Sequence, residues 1–340
     1  MPSDLTKPDP NPILDLIAAY RTSQILFAAC ELKLFELLQT PQSTSQLASA
    51  QGWNADATER LLDGAVHLGL LTKTGDQYRN STMAREYLVE QSSNSLLGYI
   101  NYSNAVLWKL WDNLPDAVRE GGHRWKQTFG TDGPIFAQIF RTEADKRQFL
   151  LGMHSYGLIS SPQVVNAVNL GRYKTFCDLG GATGHLAVAA CQRWANLRGV
   201  VFDLPEVVPL ANEMVAKSDV ASRVEVIAGD FFADALPTAE VYAVGRILHD
   251  WTEVKIRKLL ARIYEALPAG GMLLIAEKVL HDDKAGPAWS VLQSLGMLLV
   301  TEGRERTLGE YAELLESAGF RNVTCTRTAS PLDAICAVRA

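Results

Sequence analysis

The stretch "KTFCDLGGATGHLAVAACQRWANLRGVVFDLP", residues 174–205, decides how this chain folds. "KTFCDLG" reads as an apolar strand, Gly184–Trp194 as a helix and "RGVVFDLP" as a second strand. Continuous apolar strands alternating with helices imply a parallel sheet covered on both faces. The alternation continues through "EVVPLANEMVAK" (helix), "RVEVIAGD" and "EVYAVGRILHD" (strands), "TEVKIRKLLARIYEALP" (helix) and "GGMLLIAEKVL" (strand). After a helix at 307–318, "RNVTCTRTA" and "LDAICAVR" are too close in sequence for another crossover. They read as an antiparallel C-terminal hairpin on an otherwise parallel α/β sheet.

Upstream the texture is different. Residues 13–39 place Ile13, Leu16, Ile17, Ile25, Leu26, Ala29 and Leu32 at helical spacing. Residues 43–81 read as a helix, a turn at Gly52, a second helix and a hairpin turning at "KTGD", the order of a winged helix. The second of these helices, Ala55–Leu71, sets Asp56, Glu59 and Asp63 against Arg60 alone. That is the wrong sign for a helix entering the major groove, so a packing role is expected. Residues 95–170 are helical and rich in aromatics, as in "YINYSNAVLWKLW". The expected division is 12–95 for the helical, winged-helix region, 96–170 for a helical linker and 171–340 for the α/β domain.

Composition narrows the partners. A net charge of −6 gives no broad attraction to nucleic acid or to an anionic membrane. No apolar run is expected to reach membrane-spanning length, and the opening "MPSDLTKPDPNP" lacks the pattern of a secretion signal. Five cysteines, odd in number and widely spaced, suit free thiols in a reducing cytosol; none has a zinc-binding spacing, and no metal is expected.

The loop "DLGGATG" (178–184) ends the first α/β strand, where Gly180, Gly181 and Gly184 let the backbone approach a ligand. A glycine-rich turn alone is weak evidence. Asp203 ends the second strand, where an acid accepts the hydroxyls of a ribose. Asp178 is a poor neighbour for a pyrophosphate and a good one for an ammonium or sulfonium. Asp230 and Phe231, in "GDFF", suit an adenine amino group and its face. There is no GxxxxGK[ST] loop for a triphosphate. The set favours S-adenosylmethionine over a nicotinamide cofactor.

Taken in order, "DLGGATG", "VFDLPEVV", "GDFF", "RILHDW" and "TEGRERT" resemble the small-molecule O-methyltransferases, and most closely the acetylserotonin (hydroxyindole) O-methyltransferase group with its "-like" relatives. The likeness runs from "SQILFAACELKLFELL" (23–38) to "LDAICAVR" (332–339). It implies a Rossmann-like class I methyltransferase sheet, a helical N-terminal dimerisation domain with a winged-helix core, a homodimer, and S-adenosylmethionine as methyl donor. Carried over by position, the cofactor residues are Phe140, Gly180, Asp203, Asp230, Phe231 and Arg246. Ala182 departs from the family's usual third central glycine. In the acetylserotonin group an Asn and a Gln on the helix before "TEG.ERT" bind the indole substrate; here those positions are Gly296 and Val300.

"GRILHDW" (245–251) carries the expected chemistry. His249 ends the fourth strand across the crevice from the glycine loop. A phenol, pKa about 10, must lose its proton to accept a methyl group, and a histidine near its ordinary 6.5 is neutral enough to take it. Glu277 at the end of "LLIAE" and Glu305 in "GRERT" are both candidates to orient the imidazole, and the resemblance gives both a flanking role. Asp250 is expected to contact substrate or its loop, and Trp251 to pack near the cofactor. The expected reaction is methyl transfer to a small aromatic hydroxyl compound with His249 as base. The alternative is a cofactor-binding protein of the same fold that is hydroxylase-like or a scaffold; retention of His249, Glu277 and Glu305 disfavours the hydroxylase-like reading, and a methyl-transfer assay with a phenol panel separates the scaffold.

Overall fold

The computed structural model describes residues 8–340, so the first seven residues of the Pro-rich opening lie outside the described residues. The chain divides into two compact units, one reaching Asn104 and one running from Ala105 to Ala340.

The first unit opens with α1 (Asn11–Glu31), followed by β1 (Gln42–Ser43), α2 (Thr44–Gln51), α3 (Ala55–His67), β2 (Leu71–Thr74) and β3 (Gln77–Asn80). Local chemistry sets these boundaries. Ser43 and Gln46 form a reciprocal capping box at the start of α2, and Gly52, at φ +70°, ends it. Asn54 accepts the Ala57 N–H at 3.0 Å to start α3. That helix stops at His67 rather than at Leu71, because Gly69 turns the chain at φ +71° into β2. Thr74 faces Gln77 across Gly75 and Asp76, a two-residue hairpin with Gly75 at φ +61°. The antiparallel sheet order is β1-β3-β2. Leu34, Phe35, Leu38, Leu47, Leu62, Ala65 and Tyr78 form the buried core of this unit.

α1 corrects one expectation: it is long and apolar enough, by length and composition, to cross a membrane, at mean hydropathy 1.3. Asp15 and Arg21 break its apolar run locally, yet the average over eighteen residues stays apolar. Only 17% of that window is buried, and Ile13, Leu16 and Ile17 are 64%, 76% and 62% exposed.

The second unit contains most of the segment expected as a linker. Its long helix α4 (Glu143–Asn166), capped by Thr142, packs against α5 (His185–Arg193) of the sheet region. The sheet strands are β4 (Thr175–Leu179), β5 (Arg198–Asp203), β6 (Val224–Ala228), β7 (Val241–Gly245), β8 (Met272–Glu277), β9 (Phe320–Thr326) and β10 (Asp333–Arg339). Their order is β6-β5-β4-β7-β8-β10-β9. β4 to β8 are parallel, while β10 inserts antiparallel between β8 and β9. The C-terminal pair is thus antiparallel as expected, with the later strand in sequence on the inside. The helices α6 (Val208–Ala216), α7 (Glu253–Ala266), α8 (Ala288–Val300) and α9 (Leu308–Ser317) complete the unit. Thr252 caps α7, and Thr307 with Glu310 forms a capping box on α9. Strand and helix faces close on a core that includes Tyr242, Val244, Leu259, Ile263, Leu273, Ile275, Tyr311 and Leu315.

Candidate active site

The C-terminal ends of the parallel strands converge on one crevice. Gly180 is at φ +66° and Gly184 at φ +80°. A Cβ added at Gly180 would lie 2.6 Å from Ile247 Cδ1 and 3.2 Å from Phe231, so the loops after β4, β6 and β7 meet there. Only glycine satisfies both the backbone conformation and the contact.

Asp203 ends β5 and is gripped by its surroundings: Oδ2 accepts the Ala182 N–H and Oδ1 the Leu204 N–H, each at 2.7 Å. Burial raises its pKa to about 6 against the pull of those amides. Asp178 is more extreme. It is buried, its Oδ2 has no hydrogen-bond partner, and burial followed by the nearby Asp203 lifts its pKa to about 8. A buried carboxylate oxygen without a donor invites a cationic or hydrogen-donating ligand. Asp230 accepts the Phe232 N–H through Oδ1 at 2.7 Å and so shapes its own turn. The residues present fit S-adenosylmethionine: an orphaned carboxylate at Asp178 for an ammonium, Asp203 for the ribose, and aromatic rings for the base.

Those rings form a chain. Phe149, Phe140, Phe136, Trp251, Phe232 and Phe231 lie with successive centroids 5.8, 5.7, 5.6, 5.3 and 4.8 Å apart. Phe140, Ala182 and Leu204 all pack against one buried cluster of Leu150, Val207 and Leu210.

β7 ends at Gly245 rather than continuing through "RILHD", because Arg246 at φ +58° turns the chain into a short 3-10 turn over Leu248–Asp250. The Arg246 guanidinium lies 4.2 Å over the Tyr156 ring, and its Nη1 is buried without a partner. The two glutamates divide their work. Glu305 Oε1 meets His249 Nδ1 at 2.6 Å, with both side chains buried. Glu277, fully buried, accepts through Oε1 the N–H groups of Ile247 (3.2 Å), Leu248 (2.7 Å) and His249 (3.1 Å). Its Oε2 accepts the Tyr311 hydroxyl. Glu305 therefore orients the imidazole and Glu277 holds the turn that carries it. His249 Nε2 lies 3.7 Å from Asp250 Oδ1 and is the nitrogen left to meet a ligand.

The imidazole does not sit at its ordinary pKa. Burial lowers it, but the carboxylates of Glu305, Asp250 and Glu277 outweigh burial and bring it to about 9. Asp250, raised to about 6 by its own burial, remains a carboxylate at neutral pH. At pH 7 about one imidazole in a hundred is then neutral, not the majority expected from an unperturbed histidine.

Sequence reasoning missed the residues holding the carbonyl side of the turn. Arg306, buried, donates to Leu248 O at 3.2 Å, and Gly303 packs so closely that an added Cβ would lie 2.2 Å from His249 O. Neither residue type at those positions signals this, since the contacts span more than fifty residues. α8 packs against the same turn, and its Ser294 Oγ accepts the Glu305 N–H at 3.3 Å. Gly296 and Val300 are buried on the same helix. A Cβ at Gly296 would have only Trp111 near it, at 3.9 Å, and the Val300 carbonyl accepts the Trp125 indole N–H at 2.8 Å.

Comparison with known proteins gives matches over both units. Residues 14–90 match an O-methyltransferase dimerisation domain and residues 111–321 an O-methyltransferase domain. Acetylserotonin O-methyltransferase of Bos taurus is 40% identical over 326 residues, 94% of each chain. A probable bifunctional dTTP/UTP pyrophosphatase/methyltransferase protein of Homo sapiens is 38% identical over 336 residues, 98% of this chain, which spans 54% of that relative's length. Among solved structures, human N-acetylserotonin methyltransferase in complex with S-adenosylmethionine superposes with a TM-score of 0.93 at 36% identity, covering all of both chains.

Proposed function

The chain belongs to the O-methyltransferase family, and from that premise we propose that it transfers the methyl group of S-adenosylmethionine to the hydroxyl of a small aromatic acceptor, with His249 taking the proton. The observation that carries this reading is the His249–Glu305 pair, buried beyond the end of β7 with Nε2 free of Glu305. Bound in the crevice, S-adenosylmethionine supplies a methyl group already activated by its sulfonium. The protein's task is to hold the cofactor and the acceptor in line and to manage one proton.

We assign cofactor binding to Phe140, Gly180, Asp203, Asp230, Phe231 and Arg246, with Asp178 facing the ammonium end. An imidazolium of pKa about 9 and a phenol of about 10 differ by about one unit, so moving the proton between them costs only about 1.4 kcal/mol. Glu305 stabilises the imidazolium that results, and the buried setting keeps water from competing for the proton. Asp250 beside Nε2 is placed to position the acceptor hydroxyl, and Gly296 and Val300 are read as part of the acceptor wall. Absence of a polar side chain at both positions favours an acceptor less polar than N-acetylserotonin, the substrate type named in the relatives above.

The N-terminal unit is read as a winged helix used for packing, and its apolar α1 as part of a homodimer interface. The five free cysteines, three of them buried, suit a reducing compartment, and a cytoplasmic location is proposed. The deciding experiment is release of S-adenosylhomocysteine with a panel of phenols, catechols and hydroxyindoles, for the natural sequence and His249→Ala. Turnover of an aromatic hydroxyl that disappears in the variant supports the reading. Cofactor binding with no turnover across the panel would favour the scaffold alternative.

A further inference from the structure

We propose that Tyr311 is a positioning residue for this reaction: its hydroxyl holds the Glu277 carboxylate in the orientation from which Glu277 clamps the 247–249 turn and aims His249. The inference rests on His249 being the base proposed above.

Tyr311 lies one turn inside α9, completely buried, and its hydroxyl donates to Glu277 Oε2. The other carboxylate oxygen of Glu277 receives three consecutive backbone N–H groups, of Ile247, Leu248 and His249. The bonds thus run from a helix hydroxyl through one carboxylate into the backbone that carries the imidazole. That backbone needs holding. Arg246 enters the turn at φ +58°, and a non-glycine residue in that region persists only where its surroundings over-determine it. On the carbonyl side Arg306 and Gly303 press against Leu248 and His249. Glu277 is the counterpart on the amide side.

Glu277 is completely buried, so no bulk water replaces a lost donor at Oε2. Without the phenol, a buried carboxylate among like charges takes up a proton more readily. The charged and titratable groups around Glu277 are His249 from the turn, Glu305 and Arg306 from the segment before α9, Tyr311 itself, and Asp333, its register partner on β10; Asp250, in the turn, also senses its charge. A protonated Glu277 accepts the three amides more weakly and withdraws one of the negative charges that favour the imidazolium. Removing the hydroxyl should therefore loosen the turn and make His249 less basic, while leaving the cofactor residues untouched.

Tyr311→Phe tests this, read by kcat, by the pH profile of kcat/KM and by calorimetric affinity for S-adenosylmethionine. The expected result is a fall in kcat of about 10- to 100-fold, the range for residues that orient a reacting group through another. Cofactor affinity should be unchanged and the rising limb of the profile should move to lower pH. Glu277→Gln should move the limb the same way, and the double variant should lose no more than Glu277→Gln alone. A lower Tm with kcat and the limb in place would overturn the proposal, as would losses that multiply in the double variant. If Tyr311→Phe does not fold, the double variant decides, because it strands no buried charge. It should fold and match Glu277→Gln, and failure to fold would make Tyr311 a packing residue. Should His249→Ala retain near-normal kcat, the base assignment itself falls; an inactive His249→Ala beside a normal Tyr311→Phe rejects only the role of Tyr311.

Discussion

His249 is bound to Glu305 through Nδ1 at 2.6 Å, and this leaves Nε2, 3.7 Å from Asp250, as the nitrogen that can receive a proton from an acceptor. The pairing fixes the tautomer and also sets the pH at which the site works.

Because the imidazole titrates near 9 in the free protein, kcat/KM for a phenol should rise through neutrality and level off only above about pH 9. The profile for a less acidic acceptor should show the same limb. Glu305→Gln removes the leading favourable charge and should shift the limb downward, and His249→Ala should cost about 10²–10⁴ in rate. The folded-state pKa lies above the ordinary 6.5, so the stability from this pair is complete below pH 6.5 and is lost as pH rises through about 9. A pH-independent rate between 6 and 9 would contradict the assignment.

Asp178 should make cofactor binding pH-dependent. Its carboxyl, raised to about 8, must ionise to meet an ammonium, and an α-ammonium itself titrates at about 7.7–8.0. Calorimetric affinity for S-adenosylmethionine is therefore expected to climb from pH 6 to a maximum near pH 8 and then fall. Asp178→Asn should weaken binding and abolish the climb; a variant that keeps it would assign the climb elsewhere.

Gly303→Ala places a methyl group 2.2 Å from the His249 carbonyl oxygen and 2.8 Å from the Trp251 nitrogen, so the turn must move. A displacement of about 1 Å costs on the order of 10²-fold in rate. Steady-state kinetics should show kcat falling with cofactor affinity retained. Normal kcat would mean that the imidazole tolerates the shift.

Acceptor choice should follow α8. Gly296 has space for a side chain, its nearest neighbour being Trp111 at 3.9 Å. Gly296→Asn with Val300→Gln is expected to raise kcat/KM for N-acetylserotonin relative to simple phenols, each regained hydrogen bond contributing about 0.5–1.5 kcal/mol. If the natural sequence already prefers N-acetylserotonin over every other acceptor, these two positions do not set specificity.

Leu16→Asp with Ile17→Asp should leave the chain folded and reduce its mass by light scattering to that of a monomer, since both side chains are largely exposed on α1. An unchanged dimer would place the interface elsewhere.

The α/β alternation was legible because apolar strands such as Thr175–Leu179 and Met272–Glu277 carry their burial in every residue. The ends of β4 and β5 were legible because Gly180 and Asp203 mark them. The division of labour between Glu277 and Glu305 was not, since both are acids at the same end of the sheet and only their three-dimensional reach separates them. The basicity of His249 was hidden for a related reason: it depends on three carboxylates, two of them distant in sequence. The apolar reach of α1 was missed because isolated charges disguise an apolar average.

The position of β10 between β8 and β9 constrains the order in which the molecule can be assembled. Until residues 333–339 are in place, β8 is an open edge and β9 has no partner in the sheet. Asp333, completely buried opposite Glu277, joins Lys278, Arg327 and the Val279 and Thr328 amides. Shortening the chain by those few residues would strip the support from beneath Glu277 rather than trim a dispensable tail. Closure of the sheet therefore waits on residues 333–339, however early the parallel strands have formed.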